Sequence, residues 1–247
     1  MGVTRRTLLL AGIGLVASGC ADTGRKFSSR PGPAWPSAIS RPSQIGDVVS
    51  PASAAAPKRS HRQLAGKDWD NGEQHLLNEL GALPRSMWTN RHPQTSHINM
   101  MDGVTRITAH HEGWKPVYFT NERETEHRLK LIQHVHMDVR GWADVGYHFI
   151  IDRDGRLWEA RPIKYQGAHV KYHNKHNVGV MCLGNFMKQE PSNAQVQRLG
   201  RTLKKLMAIY RVPVDRVYTH RELMPTLCPG DNLQPHVDHM RRDGYLS

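Results

Sequence analysis

Along residues 76–247, runs in which apolar and polar positions alternate trade places with runs in which apolar residues recur at helical spacing. "GVTRITAHH" alternates and predicts a strand ending at His110. "ERETEHRLKLIQHVHMD" carries Leu129, Ile132 and Val135 at helical spacing and predicts an amphipathic helix. "DVGYHFIIDRDGRLWEAR" holds two β-rich runs joined by Asp-Arg-Asp-Gly, a hairpin signal, and "NVGVMCLGNF" is a short apolar strand closed by Gly-Asn. "SNAQVQRLGRTLKKLMAIY" opens on Ser192, a good helix cap, and continues as a helix with a basic face. "RVYTH" predicts a further strand and "HVDHMRRDG" a last short helix. Strands alternating with helices around one hairpin predict an α/β fold, a single domain whose central mixed β-sheet is covered by α-helices.

Residues 21–75 break this pattern. They are rich in Pro, Ser, Ala and Arg and show little periodicity, so they offer too little apolar surface to offset ordering entropy and are expected to form a disordered tether. Residues 1–20 have the layout of an export signal: Arg5 and Arg6, an apolar run from Leu8 to Ala17 too short to span a membrane, and Cys20 after small residues. Thr-Arg-Arg-x-Leu-Leu resembles a twin-arginine signal and Ala-Ser-Gly-Cys resembles a lipobox. On that reading Cys20 is the lipid-bearing first residue of a mature protein anchored in the cell envelope, on the periplasmic side. The alternative is an ordinary cleaved signal in which Cys20 is incidental.

The formal net charge of +12 changes this picture little. In the domain the basic residues are interspersed with acidic ones, there is no nucleic-acid-binding motif, and a polyanionic or carboxylate-rich surface such as a cell wall fits the charge as well. With Cys20 lipidated, the remaining Cys182 and Cys228 make no disulfide framework. Cys182 lies within an apolar strand and reads as core.

Cys228 reads differently. It lies in the proline-bracketed loop of "THRELMPTLCPG", eight residues after His220, where a thiol is more easily a ligand than filler. His110 and His220 fall at or near the carboxyl ends of predicted strands, beyond which ligand crevices of α/β sheets lie. Two imidazoles and a thiolate form a set that zinc accepts, and three protein ligands leave the fourth position for water. With sixteen histidines in the chain, a metal site and a scatter of core and surface histidines both remain open on this chemistry alone. On periodicity alone Tyr147 reads as a buried aromatic, and Thr226 as a residue satisfying a turn.

Four ordered blocks, "ITAHH", "HMDVRGWADVGYHFIIDRDGRLWEAR", "GAHVKYHNKHNVGVMCLGNF" and "THRELMPTLCPG", resemble the peptidoglycan recognition proteins and the phage lysozyme-type zinc N-acetylmuramoyl-L-alanine amidases. The resemblance runs from about Trp88 to Gly230. It implies a Zn2+ ion held by His110, His220 and Cys228, with Tyr147 and Thr226 catalytic beside it. It also implies a muropeptide groove lined by His169 and Asn174, with Trp114 at its rim. The expected activity is hydrolysis of the lactyl–L-Ala amide of peptidoglycan by a monomer. A non-catalytic wall-binding module is the alternative, although such members generally lack the zinc cysteine. Two departures stand out: there is no cysteine pair for the disulfide of animal members, and Met181 occupies a position where some bacterial relatives carry a glutamate. The export reading predicts a membrane-fraction protein whose amino-terminal peptide begins at acylated Cys20 by mass spectrometry; a soluble cytoplasmic protein with its amino terminus intact contradicts it.

Overall fold

The computed structural model describes residues 66–246; the expected export signal, Cys20 and the expected tether up to residue 65 lie outside the described residues. Six strands form one sheet: β1 Ala82–Leu83, β2 Arg106–His111, β3 Phe149–Ile151, β4 Leu157–Glu159, β5 Asn177–Cys182 and β6 Val217–Thr219. Their order is β1-β4-β3-β5-β2-β6, with β3 and β4 antiparallel and every other pair parallel, the mixed sheet that the alternating pattern predicts. The helices are α1 Gly66–Leu80, α2 Glu122–His134, α3 Asn193–Tyr210, α4 His220–Leu223 and α5 Gln234–Arg242. None of the described helices is long and apolar enough to cross a membrane.

Because successive strand side chains point to opposite faces, each strand feeds two cores. Ile107 and Ala109 of β2, Phe149 and Ile151 of β3, and Val178, Val180 and Cys182 of β5 pack with Leu76, Leu77 and Leu80 of α1, Leu199, Leu203 and Leu206 of α3, and Val237 of α5. The intervening residues Ile150, Trp158 and Met181 meet Leu129 and Ile132 of α2 and Trp88 on the other face. Burial pushes the Cys182 thiol pKa well up, as befits a core residue.

Local chemistry sets the ends of these elements. The Ser192 hydroxyl accepts the Gln195 amide and the Gln195 side chain accepts the Ser192 amide, both at 3.1 Å, closing a capping box at the start of α3. Between β3 and β4 the buried Asp152 carboxylate accepts from the amides of Asp154 and Arg156 and from the Trp158 indole at 2.9 Å. Gly155 takes the left-handed turn position at φ +82°.

Three boundaries differ from the sequence reading. Helix α1 begins at Gly66, inside the segment expected to be tether to residue 75, and Glu73 accepts the Ile163 amide at 2.9 Å. The first ten residues of α1 are mostly polar, so no periodicity announces them. Tyr147 precedes β3 instead of lying within a strand. The helix read through "HVHMD" ends at His134 and continues as a π-helical turn, Val135–Val139, which buries His136 and Met137.

Two buried imidazoles act as backbone acceptors. His136 Nδ1 accepts the Gly146 amide at 3.1 Å; His148 Nδ1 accepts the Gly179 amide at 3.0 Å while its Nε2 donates to the Tyr165 carbonyl. Burial lowers both pKa values to about 3; nearby arginines add to the effect. The unfolded chain takes up these protons near pH 6.5, so below that pH it binds more protons than the folded chain and stability falls until about pH 3. We expect the denaturant midpoint to drop steeply between pH 6.5 and pH 4, each ring costing up to about 3 kcal/mol at the acid end. A midpoint that stays flat over this range contradicts the assignment.

Candidate metal centre and groove

Strand β2 ends in His110 and His111, and the parity of the strand decides their fates. Ile107 and Ala109 face the α1–α3 core, so Thr108 and His110 face the opposite side, where His110 is fully buried. His220 opens α4 directly after β6. The capping box of Thr219 with Glu222 fixes that turn, and Arg241 of α5 pairs with the Glu222 carboxylate at 2.6 Å. Cys228 arrives on the loop that follows α4. Arg221 ties this loop back: its amide donates to the Cys228 carbonyl at 2.9 Å, and its guanidinium donates to the Leu227 carbonyl and pairs with Asp231. Gly230, at φ +93°, lies against the Phe186 backbone too closely to admit a Cβ.

These constraints bring one ligand atom each from His110, His220 and Cys228 within 4.8 Å of one another. The Cys228 sulfur lies 3.6 Å from His110 Nδ1. A zinc ion at about 2.1 Å from a nitrogen and about 2.3 Å from a sulfur, at the tetrahedral angle, sets those two atoms roughly 3.6 Å apart. The His111 amide donates to the same sulfur at 3.4 Å, an arrangement that suits a ligand thiolate. Desolvation, reinforced by the neighbouring imidazoles, pushes the His110 pKa well below the usual histidine range, so the ring is neutral and keeps a lone pair. The donor set therefore fits a zinc ion.

The other expected site residues gather around this centre to different degrees. The Tyr147 ring lies 5.1 Å from that of His110 and lines the groove, half-buried. Its loop is held by Arg161, whose guanidinium donates to the carbonyls of Val145 at 2.7 Å and Asp144 at 3.0 Å, and by Gly146, which abuts the Ala168 carbonyl too closely for any side chain. Thr226 stands in the cysteine loop, where its hydroxyl accepts the Cys228 amide at 3.3 Å. This is the turn role that its composition suggests, and it leaves the hydroxyl proton available to donate. Trp114 lines the groove, with the Arg128 guanidinium 4.4 Å above its ring. The Asn174 side-chain oxygen accepts the amides of His169 and Val170 at 2.8 Å, so it shapes the loop, and it also borders a second cleft beside Trp142. His169 is buried against His110.

The groove includes residues that the sequence reading passed over. His136 packs against Trp142 with ring centroids 4.7 Å apart, and both line the groove with Arg140 and Glu112. Burial raises the Glu112 pKa, against the opposing pull of its 2.6 Å ion pair with Arg128. The π-turn that aims His136 inward has no signature in spacing. Glu112, two residues beyond His110, was findable by its proximity to the expected ligand.

Known proteins converge on the same stretch. The family model for N-acetylmuramoyl-L-alanine amidase matches residues 100–231. The chain is 31% identical over 152 residues to peptidoglycan-recognition protein SC2 of Drosophila simulans, covering 61% of this chain and 81% of that one. It is 35% identical over 107 residues to an N-acetylmuramoyl-L-alanine amidase of Homo sapiens, a match spanning 42% of this chain and 19% of the human protein. Among solved structures, bumblebee peptidoglycan recognition protein SA superposes with a TM-score of 0.58 at 26% identity, over 64% of this chain and 93% of its own. The complex of tracheal cytotoxin with the ectodomains of peptidoglycan recognition proteins LCa and LCx gives 0.57 at 25% identity, over 65% and 95%. The matched residues contain β2, β6, α4 and the cysteine loop, which carry the three ligand atoms, and from this coincidence of sequence and geometry the chain belongs to the N-acetylmuramoyl-L-alanine amidase family.

Proposed function

We propose that this chain is a zinc-dependent N-acetylmuramoyl-L-alanine amidase that cleaves the amide between the lactyl group of N-acetylmuramic acid and L-Ala in peptidoglycan. The observation that carries this reading is the convergence of His110, His220 and Cys228, with the 3.6 Å nitrogen–sulfur separation that zinc geometry requires. When bound, zinc supplies Lewis acidity toward the amide carbonyl and makes a water nucleophilic near neutral pH. The chain's own groups do the rest. Tyr147 stands beside His110 and donates its phenolic proton to the oxyanion that develops on the carbonyl, and Thr226 assists from the cysteine loop. Trp114, His136 and Trp142 give the groove flat apolar walls for a muropeptide, and Arg140 offers a cation to its carboxylates.

This assignment accounts for why a cysteine is retained at 228, since the binding-only reading gives the thiol no task. The expected export signal and lipid at Cys20 accompany the proposal, because they would hold the domain where its substrate lies.

Digestion of purified peptidoglycan tests the reaction. The expected products are stem peptides with free L-Ala amino termini and intact glycan strands; new reducing sugar ends without those termini, or no products at all, overturn the reading. Chelation is expected to abolish activity and added zinc to restore it. Elemental analysis of the parent protein is expected to give one zinc ion per chain; Cys228→Ser should lower that content, whereas Cys182→Ser should leave it unchanged. Tyr147→Phe should lower kcat by about a hundredfold with little change in KM, because it removes a donor used mainly in the transition state. A KM effect alone would instead make Tyr147 a binding residue.

A further inference from the structure

His169, expected to line the muropeptide groove, does border it, yet it is largely buried, with 7% of the residue exposed. Its two nitrogens are both engaged: Nδ1 lies 3.0 Å from His110 Nε2, and Nε2 lies 3.1 Å from the Asn177 carbonyl oxygen. A carbonyl oxygen only accepts, so His169 Nε2 carries the proton. In the neutral ring Nδ1 is then an acceptor, and the proton it accepts is the one on His110 Nε2. That leaves His110 Nδ1 without a proton, and Nδ1 is the atom facing the Cys228 sulfur.

The protein builds a slot for this ring. A Cβ at Gly179 would come within 2.8 Å of the His169 ring, and one at Gly167 would overlap it as well. Gly179 pairs with Thr108 in the β2–β5 register, two residues before His110, so the missing side chain opens space on the face of the sheet that carries the ligand. The His169 amide is tied to the Asn174 side chain at 2.8 Å, and the ring meets His110 edge-on at an interplanar angle of 86°. Both rings are buried, where an uncompensated charge is costly.

We propose that His169 is a positioning residue for the metal centre: with the Asn177 carbonyl it fixes His110 as the Nε2–H tautomer and so makes Nδ1 the ligating atom. This rests on the zinc reading but is tested apart from catalysis. In the metal-free chain, long-range 15N NMR is expected to show Nε2–H tautomers for both His110 and His169; an Nδ1–H signal from either ring overturns the proposal whether or not the chain cleaves peptidoglycan. Competition with a chromophoric chelator at fixed pH should show His169→Ala weakening Zn2+ binding by about 10–100-fold. His169→Gln, whose amide can accept from His110 and donate to Asn177, should recover most of that affinity. A folded His169→Ala protein with unchanged zinc affinity makes His169 a groove residue only. If that variant does not fold, the tautomers of the parent chain decide.

Discussion

The parallel pairing of β2 with β5 over six residues is the constraint on which the site depends, because it fixes which side chains share a face. In this register Thr108 sits opposite Gly179 and His110 opposite Met181, while Ile107 and Ala109 pack with Val178 and Val180 on the other side. A slip of β2 by one residue would turn His110 into the apolar core under α1 and α3 and point an alanine at the ligand position. The register is itself held by burial on both faces, since every residue of β5 is buried. Stability and ligand geometry therefore rest on the same contacts.

The same pairing explains the polarity of the site. Met181, where some relatives are expected to carry a glutamate, is fully buried among Leu129, Ile132 and Trp158, so the floor beside His110 is apolar. The carboxylate that does border the groove is Glu112, and it is bound to Arg128. With the His110 imidazole held neutral by burial, the centre presents a ring lone pair there in place of positive charge, which is what a dication needs. Around it the buried Arg161 and the Arg85–Asp144 pair, at 2.8 Å, brace the loop that leads to Tyr147. Burial lowers the Arg161 pKa only to about 10, so this brace stays cationic and keeps its donors at neutral pH.

Much of the molecule was legible in the sequence. The two-residue period of "ITAHH" and "NVGVMC", the helical period around Leu129, the Ser192 cap and the Asp-Arg-Asp-Gly turn are local signals. Each reflects backbone geometry that a few neighbouring residues impose, and each found its element. The expected ligand trio had a different source: a cysteine between prolines after a strand-end histidine drew attention to the loop, and the resemblance of the four blocks to a known family supplied the set. What spacing could not reveal was α1, whose first ten residues are mostly polar and whose value lies in Leu76, Leu77 and Leu80 meeting a core assembled from distant strands.

The sequence by itself determined the order of the elements from β2 onward, because these follow from residue type and short-range periodicity, while the expected ligand trio and Tyr147 came from the resemblance of four ordered blocks to a known family. Tertiary structure alone decided which nitrogen of His110 faces Cys228, that His169 meets the other nitrogen of that ring, and that His136 and Trp142 form a groove wall. Those outcomes depend on hydrogen bonds and ring contacts between residues far apart in the chain, including 59 positions between His110 and His169. They also depend on two glycines whose contribution is an empty volume. Space left vacant by a missing side chain has no period and no chemical label, and becomes visible only when another part of the chain fills it.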